Sequence, residues 1–131
     1  LVTLGTGIGS AVLHNGSLLP DTELGHLEVG GQDAEKFAST VARERNKWTW
    51  EQWGRNVDRY LTTLEYMLAP DLFIIGGGVS AEPEQFFRYL ENVEAKIVPA
   101  TMGNDAGIVG AALFAVPGVK ALARKRKRTA P

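Results

Sequence analysis

The 131-residue sequence contains no cysteine and no long hydrophobic run. Without cysteine, neither disulfide bonds nor thiolate metal sites can form, which fits a reducing cytoplasm. No apolar stretch approaches the roughly 18 residues that a membrane-spanning helix needs. The composition, 44% hydrophobic and 22% charged, is typical of a globular protein with one core. We therefore expect a cytoplasmic protein that makes no contact with a membrane.

Positive charge is scarce in most of the chain and concentrated at its end. Residues 1–119 carry 15 acidic and eight basic side chains, a net charge of −7, whereas residues 120–131 carry six basic side chains and no acid. Such a run is most often a solvated tail, and its alternative role is contact with a polyanion such as nucleic acid or polyphosphate. We expect one folded domain over 1–119, a disordered tail over 120–131, and no nucleic acid among the partners.

The sequence opens on an apolar stretch, residues 1–4, without an initiator Met or a polar lead-in. This pattern is typical of a buried strand that is already under way. We expect the chain to be a fragment of a longer protein, preceded by a segment of comparable size.

The order of the predicted elements is β-β-β-α-α-β-α-β-α. In chain order they are strands at 1–4, 10–13 and 17–19, helices at 34–45 and 49–68, a strand at 72–75, a helix at 83–93, a strand at 97–99 and a helix at 106–115. Asn15-Gly16 is the signal of a tight hairpin, and Thr49 with Gln52 has the spacing of a capping box. The order predicts an α/β fold, a mixed sheet with helices on both faces, and matches the ribonuclease-H-like half-domain of the actin and sugar-kinase superfold.

Two glycine-rich runs follow predicted strands. In the run that begins Gly5-Thr6-Gly7, the missing Cβ atoms let backbone N–H groups reach phosphate oxygens, and the Thr hydroxyl adds a donor. The second run, residues 76–78, follows a buried strand, and ligands of open α/β sheets lie at the carboxyl ends of strands. Turns between elements also favour glycine, so each run alone leaves a structural role and a phosphate-binding role open.

The predicted loop over residues 20–31 contains the segment Glu23-Leu24-Gly25-His26. A carboxylate and an imidazole three residues apart can converge on one polar ligand, and together they suit the acceptors and donors of sugar hydroxyls. Glu35, near the start of the next helix, could add a third contact. A lone His usually lies at the surface, or in the core with its ring nitrogens hydrogen-bonded. The neighbouring Glu favours a binding site here. The spacing indicates neither a nucleophile triad nor a metal-ligand cluster.

Taken together, these segments resemble the ROK family of sugar kinases and regulators, most specifically its polyphosphate glucokinase branch. The resemblance rests on the order and spacing of LGTGIG at 4–9, ELGH at 23–26, PDLFIIGGGV at 70–79 and NDAGIVGAA at 104–112, and it covers residues 1–115. It implies the C-terminal domain of a two-domain kinase that binds its substrates in the cleft between the domains.

The resemblance also assigns residues. It implies that the sugar is contacted by Glu23, His26 and Glu35, and that phosphate or nucleotide is bound by Gly5, Thr6, Gly7, Gly76, Gly77 and Gly78. Many ROK members carry a cysteine-rich zinc loop after the Glu-x-Gly-His motif, with that His as a ligand. Here the corresponding stretch, 27–34, is short and has no cysteine, so we expect no zinc and a His26 that is free to contact sugar.

The implied reaction is phosphoryl transfer from polyphosphate or ATP, with Mg²⁺, to the 6-hydroxyl of glucose. The family's catalytic base is an Asp of the N-terminal domain, and no residue here matches it, so we expect the chain alone to be inactive. The resemblance further implies a homodimer, for which the aromatic-rich helix over 50–66 is a candidate surface. Three alternatives stay open: a sugar-sensing ROK regulator, an ATP-dependent kinase for another hexose, and a structural or chaperone-type actin-fold domain.

Overall fold

A computed structural model describes residues 1–115 of the chain. These residues form a compact unit over Leu1–Thr101 and part of a second unit that begins at Met102. In chain order the strands are β1 (Val2–Leu4), β2 (Ile8–Ser10), β3 (Leu13–His14), β4 (Ser17–Leu18), β5 (Glu28–Val29), β6 (Gln32–Asp33), β7 (Leu72–Gly76) and β8 (Lys96–Pro99). The α-helices are α1 (Glu35–Ala38), α2 (Thr40–Asn46), α3 (Trp50–Leu68) and α4 (Ala106–Ala115).

A four-stranded mixed sheet, in the order β2-β1-β7-β8, forms the centre of the first unit. Strand β1 pairs antiparallel with β2, with Leu4 opposite Ile8, and parallel with β7, with Val2 opposite Ile75. Strands β7 and β8 are also parallel. Because parallel neighbours end at the same edge of a sheet, both glycine runs emerge side by side there. The predicted α/β fold with a mixed sheet is confirmed.

Two small hairpins flank the sheet. The predicted one joins β3 to β4 through Asn15 and Gly16, whose φ angles of 50° and 73° suit the tight turn that an Asn-Gly pair predicts. The second joins β5 to β6 through Gly30 and Gly31, with φ angles of 61° and 79°. It lies at the end of the segment predicted to be a loop, because strands of two residues carry no readable periodicity.

The long helix α3 agrees with its prediction. The Thr49 side chain accepts a hydrogen bond from the Gln52 backbone, and the Gln52 side chain accepts one from the Thr49 backbone, which completes the capping box. The helix ends at Ala69, in the left-handed conformation, just before Pro70. Its inner face packs into the core, whose largest fully buried side chains are Trp53, Tyr60, Phe86, Leu4, Leu61, Leu64, Ile75 and Val57.

The helix predicted over 34–45 is wrong as a continuous element. It is interrupted at Ser39, whose ψ of 157° is extended and separates α1 from α2. The Ser39 hydroxyl donates to the Glu35 carbonyl at 2.7 Å and accepts from the Ala42 amide at 3.1 Å. A serine side chain can thus replace backbone hydrogen bonds and start a new helix, a competition that the apolar spacing does not reveal.

The helix predicted over 83–93 is also wrong. Its place is taken by short 3₁₀ turns at Pro83–Gln85 and Phe87–Tyr89. Between them Phe86 has a φ of −134° and is fully buried, with its ring 5.0 Å from that of Trp53 and 6.4 Å from that of Trp50. Burial of this ring against the indoles outweighs the modest preference of a short segment for a regular helix.

The second unit contains a 3₁₀ turn at Gly103–Asp105, followed by α4, where a helix was predicted. The predicted boundary at residue 119 and the predicted tail over 120–131 lie outside the described residues. In the described part of the chain, no helix combines the length and the hydrophobicity that crossing a bilayer would require.

A Gly77→Ala substitution should lower the free energy of unfolding by at least about 2 kcal/mol. Gly77 has a φ of 90°, and a Cβ atom there would overlap the carbonyl oxygen of Leu4. Gly78→Ala is the matched control, because no atom lies within 4 Å of its added Cβ, and it should change stability by less than about 1 kcal/mol. Urea unfolding of both variants measures the difference, and equal midpoints would contradict the proposed close approach.

Candidate functional site

An open cleft of about 500 Å³ lies at the carboxyl ends of β1 and β7. It is lined by Thr3, Gly5, Thr6, Gly7, Ile8, Gly9, Glu23, His26, Glu35 and Gly77. The cleft therefore brings together most of the predicted site residues, although they come from four separate stretches of the chain. Gly76, within β7, and Gly78, at the start of a 3₁₀ turn, do not line it.

The segment that carries Glu23 is fixed to the body of the unit from two sides. The Ser10 hydroxyl donates to the Thr22 carbonyl and accepts from the Leu24 amide, each at 3.0 Å. The Tyr60 hydroxyl of α3 donates to the Leu24 carbonyl, also at 3.0 Å. Burial raises the pKa of Tyr60, so its hydroxyl remains a donor at neutral pH. These bonds place Glu23 on a rigid segment although it lies outside regular secondary structure.

His26 is held by Asp33, a residue whose part in the site the sequence did not indicate. The ring nitrogen Nδ1 of His26 donates to Oδ2 of Asp33 at 3.0 Å and lies 3.9 Å from Oε2 of Glu35. The other Asp33 oxygen, Oδ1, accepts from the Glu35 backbone amide at 2.9 Å. One carboxylate thus positions two of the three predicted sugar-contacting residues, His26 and Glu35. The spacing of Asp33 from His26 has no recognisable signature in the sequence.

The electrostatics of this group follow from its geometry. The hydrogen bond to Asp33 raises the pKa of His26 above its ordinary value of 6.5, and the charges of Glu35, Asp33 and Glu23 act in the same direction. The same hydrogen bond lowers the pKa of Asp33. The His26 side chain is 60% exposed, so its ring reaches solvent while Nδ1 is occupied. This arrangement leaves Nε2 for a ligand.

Glu35 is anchored to the first glycine run. Its Oε1 atom accepts a hydrogen bond from the Ile8 backbone amide at 2.8 Å. Strand β2 is an edge strand, so this amide has no neighbouring strand on its outer side and a side chain can take it instead. A Cβ atom at Gly7 would overlap the same Glu35 oxygen, so a larger residue there would require the Glu35 side chain to shift away from this position.

The loop over Gly5, Thr6 and Gly7 is held in place by hydrogen bonds from the first residue of α2. Its Gly5 amide donates to the Gly7 carbonyl at 3.0 Å, which closes a tight turn. The Gly5 carbonyl accepts from both the Thr40 amide, at 3.0 Å, and the Thr40 hydroxyl, at 2.6 Å. Thr40 was also missed by the sequence analysis, because it only becomes a neighbour of this loop once the chain breaks at Ser39.

Metal binding by the protein alone has little support in the cleft. Among residues 1–115, no three His, Cys, Asp or Glu side chains converge in the manner of a metal-binding group. The carboxylates of Asp33 and Glu35 already accept hydrogen bonds from His26 and from backbone amides. A divalent cation would therefore need most of its ligands from a bound substrate and from water.

Replacing Asp33 by Asn should lower the pKa of His26, because the substitution removes the charge that favours the imidazolium. NMR titration of the imidazole signals measures this shift, and a His14→Gln variant assigns them. The ion pair between His26 and Asp33 contributes its full stability below pH 6.5, and this contribution is lost as the pH rises through the raised pKa of His26. The Asp33→Asn variant should therefore lose this pH dependence of stability. Glu28→Gln in the same hairpin is the control, and an equal shift there would contradict the role of Asp33.

No family model matches the chain. Polyphosphate glucokinase of Mycobacterium tuberculosis (strain CDC 1551 / Oshkosh) is 52% identical over 116 residues, which are 88% of this chain and 43% of the relative. The crystal structure of an inorganic polyphosphate/ATP-glucomannokinase from Arthrobacter sp. strain KM matches with a TM-score of 0.82 and 48% identity, over 86% of this chain and 44% of that one. The chain thus spans less than half the length of these two relatives.

A more distant structure carries the family name. The ROK hexokinase from Thermus thermophilus matches with a TM-score of 0.65 and 27% identity, over 86% of this chain and 56% of that one. The cleft residues, the order of the motifs and these similarities agree with one another. The chain is similar to sugar kinases that include a ROK hexokinase, and its highest identities among these are to a polyphosphate glucokinase and a polyphosphate/ATP-glucomannokinase.

Proposed function

We propose that the protein containing this chain is a glucokinase that transfers a terminal phosphoryl group from polyphosphate or ATP to the 6-hydroxyl of glucose. The observation that carries the proposal is the single cleft in which Glu23, His26 and Glu35 face a glycine loop suited to phosphate. The relatives named polyphosphate glucokinase and polyphosphate/ATP-glucomannokinase support the same activity.

The sugar side of the cleft offers both kinds of hydrogen-bonding partner. Glu23 provides carboxylate acceptors on its rigid segment, and His26 provides Nε2 while Asp33 occupies Nδ1. Glu35 keeps its second oxygen for a ligand while the first accepts from Ile8. Hydroxyl groups are donors and acceptors at once, so this combination can orient a hexose by several of them. A fixed orientation is what presents one hydroxyl to the phosphoryl group.

The phosphate side supplies positioning and charge stabilisation. Phosphoryl transfer depends on donors that are already in place where negative charge is held. The loop at Gly5 to Gly7 has no side chain large enough to block the approach of a phosphate, and Thr6 adds an exposed hydroxyl. The bonds from Thr40 to Gly5 keep the loop from rearranging when a ligand binds.

Mg²⁺ fits this site as a companion of the phosphoryl donor. When bound, it neutralises charge on the phosphate oxygens. The cleft offers carboxylates already engaged in hydrogen bonds, so we propose that phosphate oxygens and water supply most ligands of the metal.

The proton of the attacking hydroxyl requires a base, and we propose that it lies in a part of the protein outside this chain. Each carboxylate that faces the cleft has a role in holding the sugar. The relatives are more than twice as long as the matched stretch, which leaves room for a second domain that carries the base and closes the cleft. The cytoplasm is the compartment we propose, because a chain without cysteine is suited to reducing conditions.

The whole protein should phosphorylate glucose when polyphosphate and Mg²⁺ are supplied, with product followed through a coupled assay of glucose 6-phosphate. Glu23→Gln should raise the KM for glucose at least about tenfold, because it weakens charge-assisted hydrogen bonds to the sugar. Glu28→Gln, which removes a carboxylate outside the cleft, should leave the KM within about twofold.

Donor and acceptor comparisons separate the alternatives. Turnover with ATP but not polyphosphate, or with mannose or fructose but not glucose, would replace the proposed substrates. Sugar binding without any turnover of the whole protein would favour a regulator. Residues 1–131 alone should bind glucose weakly and show no turnover, and measurable turnover by them would contradict the location of the base.

We also propose a homodimer, and the exposed end of α3 is its candidate surface. Tyr66, Met67 and Leu68 are 93%, 52% and 44% exposed, an unusual concentration of large apolar side chains for one helix end. By contrast, Trp53 in the same helix is fully buried and serves the core. Tyr66→Lys should shift the whole protein from dimer to monomer in sedimentation velocity, and an unchanged dimer would exclude this surface.

A further inference from the structure

A polyphosphate donor poses an electrostatic problem for this chain. Residues 1–119 carry a net charge of −7, and a polyanion is repelled by such a surface. The charge is unevenly distributed, however. The segment over 36–47, which we name the basic segment, contains Lys36, Arg43, Arg45 and Lys47 and only one acid, Glu44. It holds half of the eight basic residues found up to position 119.

The cations of the basic segment are not used in ion pairs within the described residues. Over residues 1–115, the Lys and Arg side chains form one ion pair with a carboxylate within 4.0 Å, between Arg55 and Glu51 of α3. Lys36, Arg45 and Lys47 are exposed. Four cations that share one short segment and lack carboxylate partners form a surface suited to an anion.

Arg43 is held in a defined position rather than extended into solvent. Its guanidinium lies 3.7 Å from the centroid of the Trp50 ring, and its buried Nε atom has no hydrogen-bond partner. A stacked guanidinium loses less conformational freedom when it binds a phosphate, because the planar group is already oriented. Arg45 is also restrained, since its guanidinium donates to the Lys36 carbonyl at 3.3 Å.

The basic segment is joined directly to the phosphate loop. Thr40, the first residue of α2, donates twice to the Gly5 carbonyl. Arg43 lies three residues further on, a spacing that places it near the same side of the helix as Thr40. Helix α2 is seven residues long, or about 10 Å, and Lys47 follows its end in the left-handed conformation. The cations of α2 and its C-terminal end therefore lie within about 10 Å of the point where the loop is anchored.

We propose that the basic segment binds the distal phosphates of a polyphosphate chain whose terminal phosphate lies at the Gly5–Gly7 loop. The inference rests on the proposed kinase function and deepens it, because it names residues that favour polyphosphate over ATP. ATP has only three phosphates, so fewer of its charges can reach beyond the loop. A longer polyanion extends past the loop and gains charge contacts along α2.

The inference predicts two measurable properties of the whole protein. The KM for polyphosphate should fall as the chain lengthens beyond three phosphates, until the basic segment is fully covered. The KM for long chains should also rise steeply with salt, because each phosphate contact releases condensed counterions. The KM for ATP should depend on salt much less.

The test is the triple variant Lys36→Gln, Arg45→Gln, Lys47→Gln, all at exposed positions. It should raise the KM for long-chain polyphosphate about tenfold, as expected for three modest surface charge contacts, and reduce its salt dependence. Values of kcat/KM with ATP and with tripolyphosphate should stay within about twofold. The matched control is Arg55→Gln, Arg88→Gln, Lys96→Gln, which removes three exposed charges elsewhere and should leave all donors unaffected.

The outcomes distinguish a failure of the proposed kinase function from a failure of the inference about the basic segment. A wild-type protein that cannot use polyphosphate overturns the proposed function itself. A wild-type protein that uses it while the triple variant is unchanged overturns only the inference, as does an equal loss in the control or a loss produced instead by deleting residues 120–131. If the triple variant unfolds, the double variant Lys36→Gln, Lys47→Gln tests the same point, since it should raise the KM for long-chain polyphosphate about fivefold and an unchanged KM would overturn the inference.

Discussion

The parallel pairing of β1 with β7 is the constraint on which the site depends. It brings the two glycine runs, 70 residues apart in the chain, to the same edge of the sheet. Their contact is close enough that Gly77 has no room for a Cβ atom beside the Leu4 carbonyl. The cleft lies at this edge of the sheet, where the glycine residues of the two runs leave space for a ligand.

Around this edge, hydrogen bonds connect the irregular segments that line the cleft to neighbouring helices and strands. Ser10 of β2 and Tyr60 of α3 fix the segment that carries Glu23, and Thr40 of α2 fixes the loop at Gly5 to Gly7. Asp33 joins His26 to the helix that follows. Two of these hydrogen bonds, Thr40 to Gly5 and Tyr60 to Leu24, join residues 35 and 36 positions apart, so the irregular segments are held by regular elements from elsewhere in the chain.

Much of this organisation could be predicted. Some features depend only on neighbouring residues, and the sequence therefore predicts them. They are the capping box at Thr49, the Asn-Gly turn and the apolar face of α3. The two predicted helices that were wrong failed for one reason: one side chain within each segment favoured a non-helical backbone. At Ser39 the hydroxyl replaces backbone hydrogen bonds, and at Phe86 the burial of the ring determines the backbone geometry.

By itself, the sequence determined the order of the glycine runs, the Glu-Leu-Gly-His segment and three of the four strands of the central sheet, because each depends on residue types at short spacing. The fourth, β2 at Ile8–Ser10, was predicted wrongly as a strand over 10–13. That order was sufficient to indicate the ROK family. Only the tertiary structure decided that Asp33 pairs with His26 and that Thr40 reaches Gly5. These relations join residues whose separation along the chain carries no periodic signal, and they arise only when the sheet has brought their elements together.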